Sequence, residues 1–188
     1  ADDFGNDLFA IRSFAANTLS TPRNVWRECP GISEATRDTI AESGELLLDE
    51  FNRAYTHYKE LTGKFDFDDL LYEVLRQGLV PPHRVLIEDE VQDKTPLQMA
   101  VYNLWAAAAD RVYVAGDPFQ SLYGFIGATP AAFDCLHAAA ETSTTLDRSY
   151  RFGPDAWAVA TGILSRTGYE VPSVEPVGET RVRDHAHD

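Results

Sequence analysis

Two adjacent carboxylates follow a short apolar run near the middle of the chain, where residues 85–93 read VLIEDEVQD. The apolar run predicts a strand that is buried on both faces of a parallel sheet. Parallel sheets bind ligands beyond the carboxyl ends of their strands, and Asp89 and Glu90 would lie there. A Mg²⁺ ion on nucleotide phosphates takes one or two carboxylates, and a neighbouring carboxylate can polarise an attacking water. The pair suits those two roles, although a solvated acidic turn would have the same sequence.

A second polar segment follows another predicted strand. Residues 111–115, RVYVA, lead into GDPFQSLYGFIGA at 116–128, so two parallel strands would end in polar residues at one edge. Gln120 could donate an amide hydrogen bond to a phosphate. Tyr123 and Phe125 could present rings on which nucleic acid bases stack. The alternative is that both rings belong to the core.

The elements around these segments predict an α/β fold with a parallel sheet. The segment TPLQ at 95–98 combines a capping box with a proline at the first helical position, so a helix is expected to about Ala109. A strand, a helix and a strand joined over this length pair in parallel. A third strand is expected at 144–146 and a helix over 154–167. Between them, LDRSYR at 146–151 offers an arginine that could stabilise a transferring phosphoryl group.

The first half of the chain is predicted to be helical. We expect an N-terminal helix, a helix from Ser33 to about Leu61 that breaks near Gly44, and a helix that Asp66 caps and Gly78 follows. The apolar face of the N-terminal helix comprises Leu8, Ile11, Phe14 and Ala15. The apolar face of the third helix comprises Phe67, Leu70, Leu71, Val74 and Leu75.

The chain carries a large excess of acid. Its 188 residues include 30 Asp and Glu against 16 Lys and Arg, for a net charge of −14. A surface this negative repels phosphate, which argues against a nucleic-acid-binding protein. Adaptation to a high-salt cytoplasm would give the same composition, because molar salt screens the repulsion. Composition alone leaves both explanations open.

Neither a membrane span nor a disulfide framework is indicated. No apolar run approaches the ~20 residues that a transmembrane helix needs, and no secretory signal opens the sequence. Cys29 and Cys135 form no CxxC pair. A reducing, cytoplasmic compartment is therefore expected.

Three segments in this order resemble the motifs of a known family. DEVQD at 89–93, GDPFQSLYGFIGA at 116–128 and LDRSYR at 146–151 resemble motifs II, III and IV of the UvrD/Rep-type superfamily 1 helicases. DFDDLL at 66–71 resembles the segment that those enzymes carry upstream of motif II. The resemblance extends over residues 65–154, about half of the chain. It implies a partial RecA-like P-loop NTPase parallel sheet with a helical N-terminal lobe.

The resemblance implies a role in ATP hydrolysis for several residues. Asp89 would coordinate Mg²⁺, and Glu90 would activate the hydrolytic water. Gln120 would contact the γ-phosphate and couple the nucleotide state to the DNA site. Arg151 would reach the γ-phosphate from motif IV. The implied cofactors are ATP and Mg²⁺.

The resemblance also implies contact with DNA. Tyr123 and Phe125 would lie against single-stranded DNA, or against the strand at a duplex junction. Gln92 and Asp93 would organise the nucleotide site through hydrogen bonds. The whole protein would be an ATP-dependent DNA helicase, and the remainder of the helicase chain would complete the motor.

The resemblance implies that residues 1–64 are a helical lobe like part of the 1B insertion and that residues 65–169 are part of the RecA-like motor domain. Residues 170–188 contain prolines and charges but almost no core residues, so a linker or truncated end is expected there. The family's phosphate loop, GxxGxGK[ST], does not occur in this sequence, and neither do motifs V and VI. Ile126 stands where motif III usually has arginine. We therefore expect these 188 residues alone to hydrolyse ATP negligibly.

Two other classes of function compete with the motor. One is a non-catalytic module that binds DNA or a protein partner and is derived from a helicase. The other is a metal-dependent nuclease built on Asp66, Asp68 and Asp69 together with Asp89 and Glu90. The nuclease hypothesis is the weaker one, because it leaves motifs III and IV without a role.

Overall fold

The computed structural model describes residues 2–166, 171 and 173–179. The chain divides into two compact units, one that ends at Ala139 and one that begins at Ala140. The first unit contains most of the helices and a two-stranded parallel sheet. The second contains one helix and a separate two-stranded parallel sheet. The chain is thus a mixture of helix and parallel sheet, as the α/β prediction requires.

Five helices occupy the first half of the first unit. They are α1 (Asp2–Asn17), α2 (Pro22–Val25), α3 (Glu34–Ser43), α4 (Leu46–Thr62) and α5 (Phe67–Gln77). The predicted break near Gly44 is confirmed, since α3 ends there and the glycine adopts a φ of +83°. That angle is strained for any residue with a Cβ atom.

A compact apolar core holds these helices together. The predicted face of α1 is confirmed, because Leu8, Ile11 and Ala15 are buried and Phe14 packs against the core. The other helices and the loop after α2 complete the cluster with Trp26, Cys29, Ile32, Ile40 and Leu48.

One carboxylate fixes α3 against α1. Asp7 accepts hydrogen bonds from the backbone N–H of Ser33 at 3.0 Å, from the Ser33 hydroxyl at 2.7 Å and from the Thr36 hydroxyl at 2.6 Å. These bonds, that of Thr36 foremost, lower the pKa of Asp7 below its ordinary value. The start of α3 is therefore tied to α1 by polar as well as apolar contacts.

Helix α5 begins and ends as predicted, but its predicted apolar face is only partly covered. Asp66 precedes the helix and Gly78 follows it in the left-handed conformation. Phe67 is 89% exposed and Leu70 is also exposed, so the prediction of their burial is wrong. Helix α5 packs along one side against α1 and against a later helix, α6 (Pro96–Ala106), and among the described residues the Phe67 ring and the Leu70 side chain stay exposed.

The main sheet pairs strand β1 (Val85–Glu88) with strand β2 (Arg111–Val114) in parallel, with Val85 opposite Arg111. Helix α6 (Pro96–Ala106) forms the crossover between them. The predicted capping box at its start is present, because Thr95 and Gln98 exchange backbone-to-side-chain hydrogen bonds. The helix ends three residues before Ala109. Helix α7 (Ala131–Ala139) completes the first unit.

Within the described residues, β1 is not buried on both faces as predicted. Val85 is 47% exposed and Ile87 is 75% exposed. The apolar run does form a strand, but the burial of a strand depends on the layers that pack against the sheet. Within the described residues the sheet has only two strands, so most of its surface is uncovered.

The second unit contains strand β3 (Arg148–Ser149), helix α8 (Pro154–Leu164) and strand β4 (Glu175–Pro176). The predicted strand at 144–146 is wrong, since β3 lies two residues later and pairs in parallel with β4. An ion pair between Arg148 and Glu175 at 2.6 Å reinforces this pairing. Helix α8 begins as predicted and ends at Leu164, and Thr167 lies outside the described residues.

Strand β4 falls within residues 170–188, the predicted linker or truncated end, most of which lies outside the described residues. In the part of the chain that the structure describes, every helix is too short or too polar to cross a bilayer.

Candidate functional site

The carboxylates after β1 lie on a sharply bent segment, which we call the carboxylate turn (residues 89–94). Asp89 and Glu90 are both exposed, and Asp89 accepts a hydrogen bond at 2.8 Å from the backbone N–H of Glu90. Glu90 has a φ of +52°, a left-handed conformation that is uncommon for a residue other than glycine. Such a conformation persists only where the surrounding structure determines it. The turn then continues as a single 3₁₀ turn, Val91–Asp93.

Gln92 connects this turn to the loop after β2. Its side chain is fully buried, and its Nε2 donates to Oε2 of Glu90 at 2.7 Å. Its Oε1 accepts from the backbone N–H of Asp117 at 3.0 Å, and its backbone oxygen accepts from the Ser121 hydroxyl at 3.3 Å. The Glu90 carboxylate can only accept and the Asp117 N–H can only donate, so these two partners fix which end of the Gln92 amide is nitrogen and which is oxygen.

A glycine allows the two loops to approach this closely. A Cβ atom on Gly116 would lie 2.6 Å from Oε1 of Gln92 and 2.9 Å from Cγ1 of Val91. Neither distance is compatible with a side chain. The loops also meet where Asp93 accepts a hydrogen bond at 3.1 Å from the backbone N–H of Leu122.

Gln120 joins the same network from the loop after β2. It is exposed at the end of the 3₁₀ turn Pro118–Gln120, and its Nε2 donates to Oδ2 of Asp117 at 2.6 Å. A continuous series of hydrogen bonds therefore runs from Glu90 through Gln92 and Asp117 to Gln120. The sequence patterns singled out three of these residues, and Asp117 is the addition.

A lysine inside the carboxylate turn forms an ion pair that the patterns missed. Lys94 pairs with Glu88, the last residue of β1, and both side chains are largely shielded from solvent. This pair closes the carboxylate turn, because Glu88 directly precedes the turn and Lys94 is its last residue. The feature of the sequence that could have indicated this ion pair is a lysine that follows shortly after a strand ending in a glutamate.

Tyr123 and Phe125 lie on the surface of the first unit. Their side chains are 46% and 59% exposed, and their ring centroids are 5.8 Å apart. The alternative in which both rings belong to the core is therefore wrong. Phe125 also lines a groove of about 320 Å³ together with Phe14 of α1 and Cys29. The turn that carries the rings ends at Gly127, which has a φ of +96°.

Arg151 belongs to the second unit, where it follows β3. Its backbone N–H donates to the Ser149 hydroxyl at 3.3 Å, and the residue is exposed. The carboxylate turn and the turn that carries Tyr123 and Phe125 (Tyr123–Ile126), which we call the aromatic loop, belong to the first unit. The structure thus brings together the residues of two predicted motifs, and describes the third motif within a different unit.

The acidic segment at the start of α5 forms an ion-pair network. Lys59, only 7% exposed, donates to Asp66 at 3.0 Å and to Asp69 at 2.6 Å, and Arg12 donates to Asp66 at 2.9 Å. The Tyr55 hydroxyl donates to Asp66 at 2.8 Å. Burial raises the pKa of Asp66, but the Lys59 and Tyr55 hydrogen bonds and the nearby cations outweigh it and leave the pKa below its ordinary value.

This network bears on the nuclease hypothesis. Asp66 and Asp69 are already neutralised by Lys59 and Arg12, and Asp68 accepts hydrogen bonds from Ser13 and Asn17. Among the described residues, no three His, Cys, Asp or Glu side chains are grouped as a metal site would require. The acidic cluster therefore holds α5 in place and does not support a nuclease.

The carboxylate turn fits the ligand preference of Mg²⁺ bound to a nucleotide. Asp89 presents an exposed carboxylate immediately beyond the carboxyl end of a parallel strand. In such sites Mg²⁺ takes one or two carboxylates, and phosphates and waters complete its shell. A cage of several protein ligands is not needed in such a site, so the exposed Asp89 carboxylate meets the requirement for a protein ligand.

Known proteins resemble this chain over much of its length. The family model of the UvrD/REP helicase N-terminal domain matches residues 32–140. ATP-dependent DNA helicase UvrD2 of Mycobacterium tuberculosis is 26% identical over 151 residues, which cover 71% of this chain and 21% of the relative. Probable DNA helicase of Mycoplasma pneumoniae is 30% identical over 126 residues, which cover 60% and 23%.

The chain spans less than a quarter of the length of these two relatives. The matched region of the family model includes the carboxylate turn, the aromatic loop and the acidic segment of α5. Because that region is more than half of the sequence, the chain belongs to the UvrD/REP helicase N-terminal domain family.

Proposed function

We propose that this chain is part of an ATP-dependent DNA helicase that moves along single-stranded DNA. The observation that supports this most strongly is the hydrogen-bonded series from Glu90 through Gln92 and Asp117 to Gln120. It joins the residues assigned to hydrolysis with the loop that carries the exposed aromatic rings. A motor needs a physical connection of this kind between its nucleotide site and its DNA site.

On the nucleotide side, each residue has a role that its surroundings support. Asp89 would hold Mg²⁺, and Glu90 would accept a proton from the attacking water. Gln92 orients the Glu90 carboxylate through its amide, and Gln120 would sense the γ-phosphate. ATP would supply the phosphoryl group that is transferred to water, and Mg²⁺ would neutralise charge on the phosphate oxygens. Arg151 is proposed to stabilise charge on that group.

On the DNA side, Tyr123 and Phe125 are proposed to stack on bases. Their exposure and their separation of 5.8 Å support this role. The net charge of −14 disfavours binding through phosphates alone. Stacking on aromatic rings contributes about 1–3 kcal/mol per base and depends less on salt than phosphate contacts do.

The fold proposal follows from the sheet. We propose that β1 and β2 are two strands of a RecA-like parallel sheet, because their ladder is parallel and their faces are exposed. Residues 1–64 would then be a helical lobe and residues 65–169 part of the motor domain. Further strands and covering helices from the rest of the motor would bury Val85 and Ile87.

The full-length protein offers a direct test. Its ATP hydrolysis is measured with and without single-stranded DNA and Mg²⁺, and its strand separation is measured on a partial duplex. We expect hydrolysis that requires Mg²⁺ and rises with DNA, accompanied by strand separation. DNA binding without any hydrolysis would instead indicate the non-catalytic module, and hydrolysis that ignores DNA would contradict the proposed motor.

A further inference from the structure

The side chain of Asn17 links three helices at the end of α1. Its Nδ2 donates to Oδ1 of Asp68 at 2.9 Å and to the backbone oxygen of Ser13 at 3.0 Å. Its Oδ1 accepts from the Thr95 hydroxyl at 3.1 Å. Asp68 belongs to α5 and Thr95 caps α6, and they are 51 and 78 residues away from Asn17 in sequence. A carboxylate can only accept, which fixes the orientation of the amide.

Thr95 is fully buried, and its hydroxyl acts both as a hydrogen-bond donor and as an acceptor. The hydroxyl donates to Asn17 and accepts from the backbone N–H of Gln98 at 3.3 Å. Its backbone N–H is also satisfied, because it donates to Oε1 of Gln98 at 2.9 Å. A buried polar group of this kind is costly to leave unpaired, so Thr95 is held firmly in one position.

Thr95 is the residue that directly follows the carboxylate turn. The turn begins after β1, where the ladder to β2 holds it, and Val91 adds a hydrogen bond to Ala115 at 3.2 Å. It ends at Lys94, next to Thr95. Within it Glu90 holds a left-handed conformation, which requires fixed surroundings. The sheet provides a fixed point at one end and Thr95 provides the other.

We propose that Asn17 is a positioning residue, which acts through Thr95 to hold the carboxylate turn in the conformation that presents Glu90. The link Asp68–Asn17–Thr95 thereby couples the acidic segment of α5 to the hydrolysis site. Its effect on turnover rests on the proposed function, whereas its effect on the conformation of the turn does not. No role in binding ATP or DNA is assigned to any of the three residues.

The test uses three threonine variants of the full-length protein. Thr95→Val keeps the shape of the side chain and removes the hydroxyl, and Thr95→Ser keeps the hydroxyl. Thr39→Val is the matched control, because the Thr39 hydroxyl only donates to Ala35 on the exposed side of α3. Two measurements are made on each variant: hydrogen exchange resolved by peptide, and ATP turnover with separate kcat and KM values.

In Thr95→Val we expect amides of residues 89–94 to exchange about tenfold faster, while amides of α3 and α4 keep their protection. We expect kcat to fall about tenfold or more with little change in the KM for ATP, since misplacement of a catalytic group acts on the chemical step. Thr95→Ser and Thr39→Val are expected to keep the parent's exchange rates in residues 89–94 and the parent's kcat. Asn17→Ala leaves the Thr95 cap of α6 intact and should also speed the exchange of residues 89–94. Combined with Thr95→Val it should add little to the exchange of these residues, because the Asn17–Thr95 bond is already lost.

Three results would overturn the inference. They are unchanged exchange of residues 89–94 in Thr95→Val, an equal increase of exchange throughout the protein, and a kcat that stays at the parent value in an active enzyme. If the unmodified protein hydrolyses no ATP, the proposed function fails. The exchange measurement then decides by itself whether the link holds the turn.

Discussion

Gln92 accepts a hydrogen bond at 3.0 Å from the backbone N–H of Asp117, and this bond ties the carboxylate turn to the loop after β2. The same amide donates to Glu90 at 2.7 Å. One buried side chain therefore sets the orientation of the proposed base and the position of the loop that carries Gln120. Two further hydrogen bonds join the same loops, from the Ser121 hydroxyl to the Gln92 backbone oxygen and from the Leu122 N–H to Asp93.

This arrangement predicts the effect of adding a charge. Gln92→Glu keeps an acceptor for Asp117 but places a second carboxylate against Glu90, which favours the protonated form of the pair. A base must be deprotonated to work, so the acidic limb of the kcat/KM profile should move to higher pH. The position of this acidic limb is measured from ATP hydrolysis by the full-length protein over a range of about four pH units, from about pH 5 to about pH 9.

The matched control for this variant is Gln77→Glu, which adds the same charge on the exposed side of α5. Its pH profile should coincide with that of the parent. A profile for Gln92→Glu that also coincides with the parent would contradict the role of Glu90 as the base.

The ion-pair network at α5 predicts an acid-dependent loss of stability. The folded structure lowers the pKa of Asp66 from its ordinary value of 3.8. The stability that the ionised Asp66 contributes is therefore complete above the ordinary pKa and is lost as the pH falls through the lower, folded-state pKa. Asp66→Asn should lower the thermal midpoint of the unit by about 3–10 °C at pH 7. The difference from the parent should shrink below about pH 4, where the unfolded-state carboxyl is protonated.

Differential scanning fluorimetry at several pH values measures this difference. Asp38→Asn is the control, because Asp38 is exposed on α3. Equal midpoints for the Asp66→Asn variant and the parent at pH 7 would show that the network contributes no net stability.

Local patterns predicted the parts of the fold that depend on neighbouring residues. The box at Thr95 and Gln98, the break at Gly44 and the end of α5 at Gly78 are confirmed, because caps and glycine conformations are set within one helical turn. The parallel pairing of β1 with β2 followed from the length of the crossover.

Patterns failed where distant segments decide the outcome. The exposure of Ile87 depends on which layers cover the sheet, and an apolar run alone does not contain that information. The link from Asn17 to Thr95 spans 78 residues and involves common polar residues with no spacing rule. The burial of Lys59 between Asp66 and Asp69 likewise depends on how α4 meets α5.

The aromatic loop predicts how DNA binding responds to mutation at high salt. Tyr123→Ala and Phe125→Ala should each weaken single-stranded DNA binding by the full-length protein by about 5–100-fold, since each removes a stacking surface of about 1–3 kcal/mol. Arg111→Ala should have a smaller effect, because salt screens contacts to phosphate. Fluorescence anisotropy in about 1 M KCl measures these affinities, at a Debye length near 3 Å.

Phe65→Ala is the control, since Phe65 is exposed on the connection before α5. Its affinity should match that of the parent. Normal DNA binding by both variants of the aromatic loop, with the fold retained, would contradict the stacking role.

The acid excess predicts a dependence of stability on salt. If it is an adaptation to high salt, the thermal midpoint of the full-length protein should rise as KCl increases from about 0.1 M to 2 M, because screening relieves self-repulsion. A variant in which exposed Glu28, Glu42 and Glu50 are all replaced by glutamine should show a weaker dependence. A flat or falling midpoint in the parent would leave the net charge of −14 to be explained by a basic partner.

The role of Glu90 is the central claim, and Glu90→Gln tests it most directly. The new amide can still accept from Gln92, so the carboxylate turn should keep its shape while the base is lost. Glu50→Gln, on the exposed side of α4, is the matched control. The measurement is DNA-stimulated ATP turnover by the full-length protein, together with its affinity for ATP. We expect Glu90→Gln to lower kcat by about 10²–10⁴-fold with ATP affinity within about threefold of the parent. A kcat close to that of the parent would contradict the account and leave Glu90 as a surface carboxylate.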